Sequence, residues 1–118
     1  MGYNFRMVVR FHFIARQEFN EILPPAEKDA MVHVIELLEE NGDRLGHPYT
    51  SDVRIAANLR ELRPRAGRSP WRAFYRRIGD LIYVGAFGPE AQSNPRGFGQ
   101  AVRAAEARLD EVEMGRER

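Results

Sequence analysis

The chain has 118 residues, which fits one domain, here taken as residues 1–118, and leaves no room for a second. It has no cysteine, which excludes disulfides, thiolate nucleophiles and cysteine-based zinc sites and fits a reducing compartment. The formal charge of +1 is unevenly spread: residues 17–43 hold eight acids against Lys28 alone, and residues 54–77 hold eight arginines against Glu61 alone. One basic pole on a near-neutral chain points to a local anionic partner rather than a general nucleic-acid coat. All the basic residues but Lys28 are arginine, whose planar fork suits phosphates and stacks on bases.

The N-terminal stretch is broken by Arg6, Arg10 and Arg16, so it holds no apolar run long enough for a signal peptide or a membrane span. The expectation is a cytoplasmic protein with no membrane partner. Residues 5–14 are rich in β-branched and aromatic side chains, with Arg6, Arg10 and His12 all at even positions, and read as a strand. Ala15 to Leu23 reads as a short helix or turn, stopped by Pro24-Pro25. Residues 26–41 carry the clearest helix pattern, with Ala30, Val34, Leu37 and Leu38 at three- and four-residue steps and Gly42 placed to cap the end.

A loop is expected from Gly46 to about Ala57, followed by a short strand over residues 58–63. The breaker-dense run from Pro64 to Pro70 makes a turn. Trp71 to Ile78 and Leu81 to Phe87 are two further strands joined at Gly79-Asp80, giving an antiparallel meander. After a polar stretch over residues 90–99, Gln100 to Val112 is a second amphipathic helix, and Gly115 to Arg118 is a fraying tail. The fold class is therefore α+β: a small twisted antiparallel sheet of about four strands packed on N-terminal helices, with a C-terminal helix.

Three pieces in order carry a resemblance: Leu59, Glu61, Leu62 and Arg63; then Trp71, Arg72, Phe74 and Tyr75; then the apolar run Leu81 to Phe87. In this order and spacing the chain resembles the RelE/ParE toxin superfamily, particularly its HigB-like and phage-related members, over roughly residues 5–112. The resemblance implies a sheet with helices on one face and an open basic groove on the other. It also implies a toxin of a type II toxin–antitoxin system that cleaves mRNA in the ribosome without a metal or other cofactor. The implied partners are the ribosome and mRNA, and an antitoxin with a helix-turn-helix domain that supplies the only DNA contact.

Cleavage by the ribose 2′-hydroxyl needs a proton acceptor, cations for the charge growing on phosphorus, and an acid for the leaving oxygen. Strand alternation puts Arg72, Phe74 and Arg76 on one face and Trp71, Ala73 and Tyr75 on the other, so Arg72 and Arg76 are expected in the groove. Arg72 matches the position of a groove arginine in the family and is the first candidate for phosphate stabilisation, with Arg63 beside it and Glu90 as a candidate base. Arg65, Arg68, Arg76 and Arg96 are candidates for RNA-backbone contact, and Tyr83 and Phe87 for base stacking.

Plainer readings stand beside these. Arg72 suits an ion pair with Glu61 as well as it suits catalysis, Arg65 and Arg68 suit a solvated turn, and Tyr83 and Phe87 suit a core. His12, His33 and His47 are scattered with no ligand spacing, and Gly97-Phe98-Gly99 lacks the flanks of a phosphate loop. The chain also departs from the family after the last strand. Gly88-Pro89-Glu90-Ala91-Gln92-Ser93-Asn94 stands where many such nucleases carry a basic pair, and Arg96 is the next cation. That departure keeps two alternatives open: a ParE-like inhibitor of DNA gyrase, and a catalytically silent module that only binds its antitoxin.

Overall fold

The computed structural model describes residues 6–115; Phe5 and residues 116–118, part of the expected first strand and tail, lie outside the described residues. The α+β expectation is borne out, with one more strand than the sequence suggested. The sheet runs in the order β1-β5-β4-β3-β2, from β1 (Val8–Phe11) through β5 (Leu81–Pro89), β4 (Trp71–Ile78) and β3 (Arg60–Leu62) to β2 (Thr50–Asp52). Four strands are antiparallel neighbours, and β1 joins in parallel with Val8 beside Leu81 and Phe11 beside Val84.

The first expected strand is cut short by a helix that begins early. In α1 (Phe13–Ile22) the buried His12 is the N-cap, and its Nδ1 accepts from the Ile14 N–H at 3.1 Å. Next, α2 (Pro25–Asn41) starts with Pro25 in the first turn, where a missing N–H costs nothing, and ends at Gly42 with φ +56°. Both helices pack on one face of the sheet. Met31, Val34, Ile35 and Leu38 meet Leu62, Ala73, Tyr75, Ile82, Val84 and Phe87 there.

The last helix, α3 (Pro95–Glu113), crosses the other face. Its Val102, Ala105 and Leu109 pack on Phe74 and Ala86, with Leu59 and Val53 at the margin. Two glycines of β5 permit this close approach. A Cβ on Gly88 would come within 2.5 Å of the Ala101 Cβ, and one on Gly85 within 2.8 Å of the Leu109 side chain. The resemblance implied an open groove on the second face; α3 covers the β5 side of that face, and the groove lies over β2 and β3.

Candidate functional site

The groove floor is set by strand alternation. Ser51 of β2 lies opposite Glu61 of β3, and Glu61 lies opposite Phe74 of β4, all on the α3 face. Arg72 shares that face, two residues before Phe74. It is 3% exposed, and its two terminal nitrogens are engaged while its Nε makes no hydrogen bond. Its Nη1 donates to the carbonyls of Ser69 at 2.6 Å and Trp71 at 2.9 Å, and its Nη2 to Gly67 O and Glu90 Oε1, both at 3.4 Å. The Nε stands 3.3 Å from Glu61 Oε1 as a charge contact. Burial lowers the pKa of this guanidinium from its ordinary value; Glu61 opposes the shift and the nearby charge of Arg63 adds to it. The plainer reading of Arg72 is present: it is ion-paired to Glu61 and to Glu90.

Arg63 differs from its neighbour. Its guanidinium lies over Gly67, where an added Cβ would meet Nη2 at 2.7 Å, and its Nε is buried without a hydrogen-bond partner. Among the described residues no carboxylate lies within 4.0 Å of Arg63, whereas Arg60, Arg65, Arg72, Arg76, Arg77 and Arg108 are all paired with acids. A half-buried cation without a carboxylate, next to one that has two, is a place for an anion. Arg68 is exposed in the turn, its Nε donating only to Arg65 O at 3.1 Å. Arg96 is exposed in the first turn of α3, at the positive end of the helix dipole.

The turn itself is strained. Arg65 and Ala66 both have φ of +56°, a left-handed conformation unfavourable to L side chains. It is tied to the N-terminus of α2: Arg65 donates to Ala26 O at 3.2 Å and pairs with Glu27 at 3.5 Å, while the buried Ser69 Oγ donates to Glu27 Oε1 at 2.6 Å.

Not every candidate gathers here. Arg65 points to α2. Arg76 is buried under α3, with Nη1 on Asp110 at 2.9 Å and Glu113 at 2.5 Å and Nε on Asn58 O at 3.0 Å; it pins the helix and borders a separate cavity with Arg60 and Tyr75, away from Arg72. Burial pulls the Arg76 pKa down, but the hydrogen bonds to Asp110 and Glu113 outweigh it and the net shift is upward. Phe87 is 2% exposed on the α1/α2 face against Phe11 and Phe19, so it is a core residue and not an open stacking platform. Tyr83 is half-buried beside the core beneath α3. Most of the groove lining was not singled out from the sequence: Ser51, Asp52, Arg54, Ile55 and Phe98 line its walls with Glu61. The only sequence signal for them was the apolar character of Ile55 and Phe98 inside polar stretches.

The family model described as Phage derived protein Gp49-like (DUF891) matches residues 17–88. The chain belongs to this Gp49-like family. No curated protein matches it significantly. Among solved structures, this Gp49-like chain is similar to the toxin–antitoxin complex RelBE2 from Mycobacterium tuberculosis, with 24% identity, coverage of 77% of this chain and 99% of that one, and a TM-score of 0.53. A free-state mutant of the toxin RelE from E. coli aligns with 16% identity over 83% of this chain and 96% of that one, at a TM-score of 0.59. The archaeal RelE-RelB complex from Pyrococcus horikoshii aligns with 18% identity, 71% and 94% coverage, and a TM-score of 0.50. These likenesses show that the Gp49-like chain has the RelE fold.

Proposed function

We propose that this Gp49-like protein is the toxin of a toxin–antitoxin pair, a ribosome-dependent mRNA endoribonuclease held in check by a helix-turn-helix antitoxin. The observation that carries the reading is Arg63: a half-buried guanidinium with no carboxylate partner among the described residues, close enough to Arg72 for its charge to act on that residue. Arg68 and Arg96 are exposed cations for the RNA backbone. The fold shared with named toxins, two of them in complexes with antitoxins, supports both the role and the partner.

In this reading the RNA phosphate sits against Arg63. The ribose 2′-oxygen attacks phosphorus, its proton passing to a carboxylate, the P–O5′ bond breaks, and the 5′-oxygen takes a proton from solvent, giving a 2′,3′-cyclic phosphate end and a 5′-hydroxyl. Glu90, held at the groove by Arg72 and by its own N–H bond to Pro70 O at 2.9 Å, is the acceptor this chain offers. Arg72 orients Glu61 and Glu90 and adds to the positive field on the phosphate.

One observation favours a second reading. Arg72 is already committed to two carboxylates and three carbonyls. An arginine so committed suits a catalytically silent module whose competence is to bind an antitoxin. Mapping mRNA 5′ ends in a reconstituted translation reaction separates the two. The nuclease gives new ends inside A-site codons, lost in Arg63→Ala; intact mRNA with normal translation overturns the nuclease and leaves the silent module, or an inhibitor of gyrase, to be tested by supercoiling.

A further inference from the structure

The 64–70 turn touches both central arginines. Arg63 lies over Gly67, and the carbonyls of Gly67 and Ser69 accept from the Arg72 guanidinium at 3.4 Å and 2.6 Å. The turn therefore sets how the two guanidiniums sit relative to each other. It does so in an unfavourable shape, because Arg65 and Ala66 are both left-handed. Backbone of this kind persists only where its surroundings over-determine it, and it gathers at sites whose geometry matters. Here the restraint comes from the helix layer on the face opposite Arg72. Glu27, in the first turn of α2, accepts from Ser69 Oγ through Oε1 at 2.6 Å and pairs with Arg65 through Oε2 at 3.5 Å. The buried Ser69 passes the tie along the turn: its Oγ accepts from Trp71 N at 3.1 Å, and its own N–H donates to Pro64 O at 3.3 Å.

We propose that Glu27 is a positioning residue for the anion site at Arg63: it clamps the left-handed turn on which Arg63 rests and by which Arg72 is held. This rests on the nuclease reading, which makes Arg63 the phosphate site. The two carboxylate oxygens act differently. Oε1 gives the buried Ser69 hydroxyl its acceptor, and so fixes the end of the turn whose carbonyl holds Arg72. Oε2 draws Arg65 toward α2, where that side chain also donates to Ala26 O at 3.2 Å. Arg65 is thereby committed to the helix rather than to a bound phosphate. Without Glu27 the strained pair is free to leave the left-handed region, Gly67 moves with it, and Arg63 loses its seat while keeping its charge. Glu27 touches no phosphate in this arrangement. It acts through Ser69, Gly67 and Arg63.

The test titrates the purified full chain with inorganic phosphate while following the Arg63 Nε–H signal by NMR. In the wild-type chain that signal is expected to move as phosphate binds. Glu27→Ala is expected to weaken binding on the order of tenfold, the equivalent of one hydrogen bond to a charged group. Glu27→Gln, whose amide oxygen still accepts from Ser69, is expected to recover most of that loss. Glu18→Ala loosens the fold at the β5 edge, away from this turn, and is expected to bind phosphate as the wild-type chain does; it controls for lost stability. Equal affinity in Glu27→Ala, a loss that Glu27→Gln does not recover, or the same loss in Glu18→Ala overturns the role of Glu27 and leaves the anion site in place. An Arg63 signal that phosphate does not move in the wild-type chain overturns the anion site and the proposal with it. Intact mRNA in the translation assay, together with phosphate binding that depends on Glu27, removes the nuclease and keeps the positioning role.

Discussion

Glu18 and Arg108 form a two-point ion pair across the open edge of β5, with Nη1–Oε1 and Nη2–Oε2 both at 3.0 Å. β1 ends at Phe11, opposite Val84, so the next stretch of β5 has no strand beside it. The pair fills that gap: Glu18 Oε1 accepts from Phe87 N at 3.1 Å, and Arg108 Nη1 donates to Gly85 O at 2.9 Å. It therefore ties α1 and α3, which lie on opposite faces, to the same strand. Glu18→Ala leaves the buried Phe87 N–H without its acceptor and Arg108 without its carboxylate, and is expected to cost about 2 kcal/mol in urea unfolding. The swapped double variant, Glu18→Arg with Arg108→Glu, keeps both charges but sets donor against N–H and acceptor against carbonyl. It is expected to remain destabilised; recovery of wild-type stability would mean the pair acts by charge alone.

The two central arginines are expected to part company when removed. Arg72→Ala strands Glu61 and Glu90 and unties the carbonyls of Gly67 and Ser69, which predicts a loss of about 3 kcal/mol or more. Arg63→Ala removes a cation with no acid partner among the described residues, and its Nε already lacks a hydrogen bond, so stability is expected to change by less than about 1 kcal/mol. Any loss of mRNA cleavage in Arg63→Ala then reports on the site, while a loss in Arg72→Ala reports on the fold as well. Measuring unfolding midpoints beside cleavage checks both halves; a large drop for Arg63→Ala would place that residue in the structural network.

Gly88→Ala puts a methyl 2.5 Å from the Ala101 Cβ and pushes α3 off the strand. The expected penalty is about 1–3 kcal/mol. Ala101→Gly in the same chain reopens the space, so a double-mutant cycle is expected to return a favourable coupling even though the added glycine weakens the helix by about 1 kcal/mol. Additive losses would show that the contact is not what sets the α3-to-sheet distance.

Much of this architecture is legible in the sequence where the signal is local. The α2 periodicity, the β4–β5 hairpin and the shared face of Arg72, Phe74 and Arg76 follow from spacing, and each is present. What was missed depends on tertiary contact. Thr50-Ser51-Asp52 shows no apolar alternation and read as loop; it is a strand because it pairs with β3 and because the buried Thr50 hydroxyl meets the Tyr75 hydroxyl at 2.8 Å. Gly97 and Gly99 disguised the first turn of α3, which is nevertheless capped by Asn94 Oδ1 accepting from Gly97 N at 2.9 Å and opened by Pro95. Phe87 was misplaced by a bulge: Phe74 pairs with Ala86 and Tyr75 with Val84, so Gly85 is extra and flips the parity of everything after it. Tyr83 and Phe87, two steps of two apart, therefore end on opposite faces.

The strained turn gives a last expectation, one that separates stability from placement. Ala66 holds φ +56°, and the left-handed region costs an L residue about 1–2 kcal/mol relative to glycine. Glycine also gains freedom in the unfolded chain, which takes back roughly 0.4–1 kcal/mol. The strain relief wins by a small margin, so Ala66→Gly is expected to stabilise by up to about 1 kcal/mol in urea unfolding. The methyl group itself has no role in the ties from Arg65 and Ser69 to α2, which stay intact. In the nuclease reading the turn presents Arg68 and seats Arg63 over Gly67, so a looser backbone at residue 66 is expected to lower cleavage while the protein becomes no less stable. Activity and stability falling together would instead mean that the left-handed conformation is not where the strain of this turn resides.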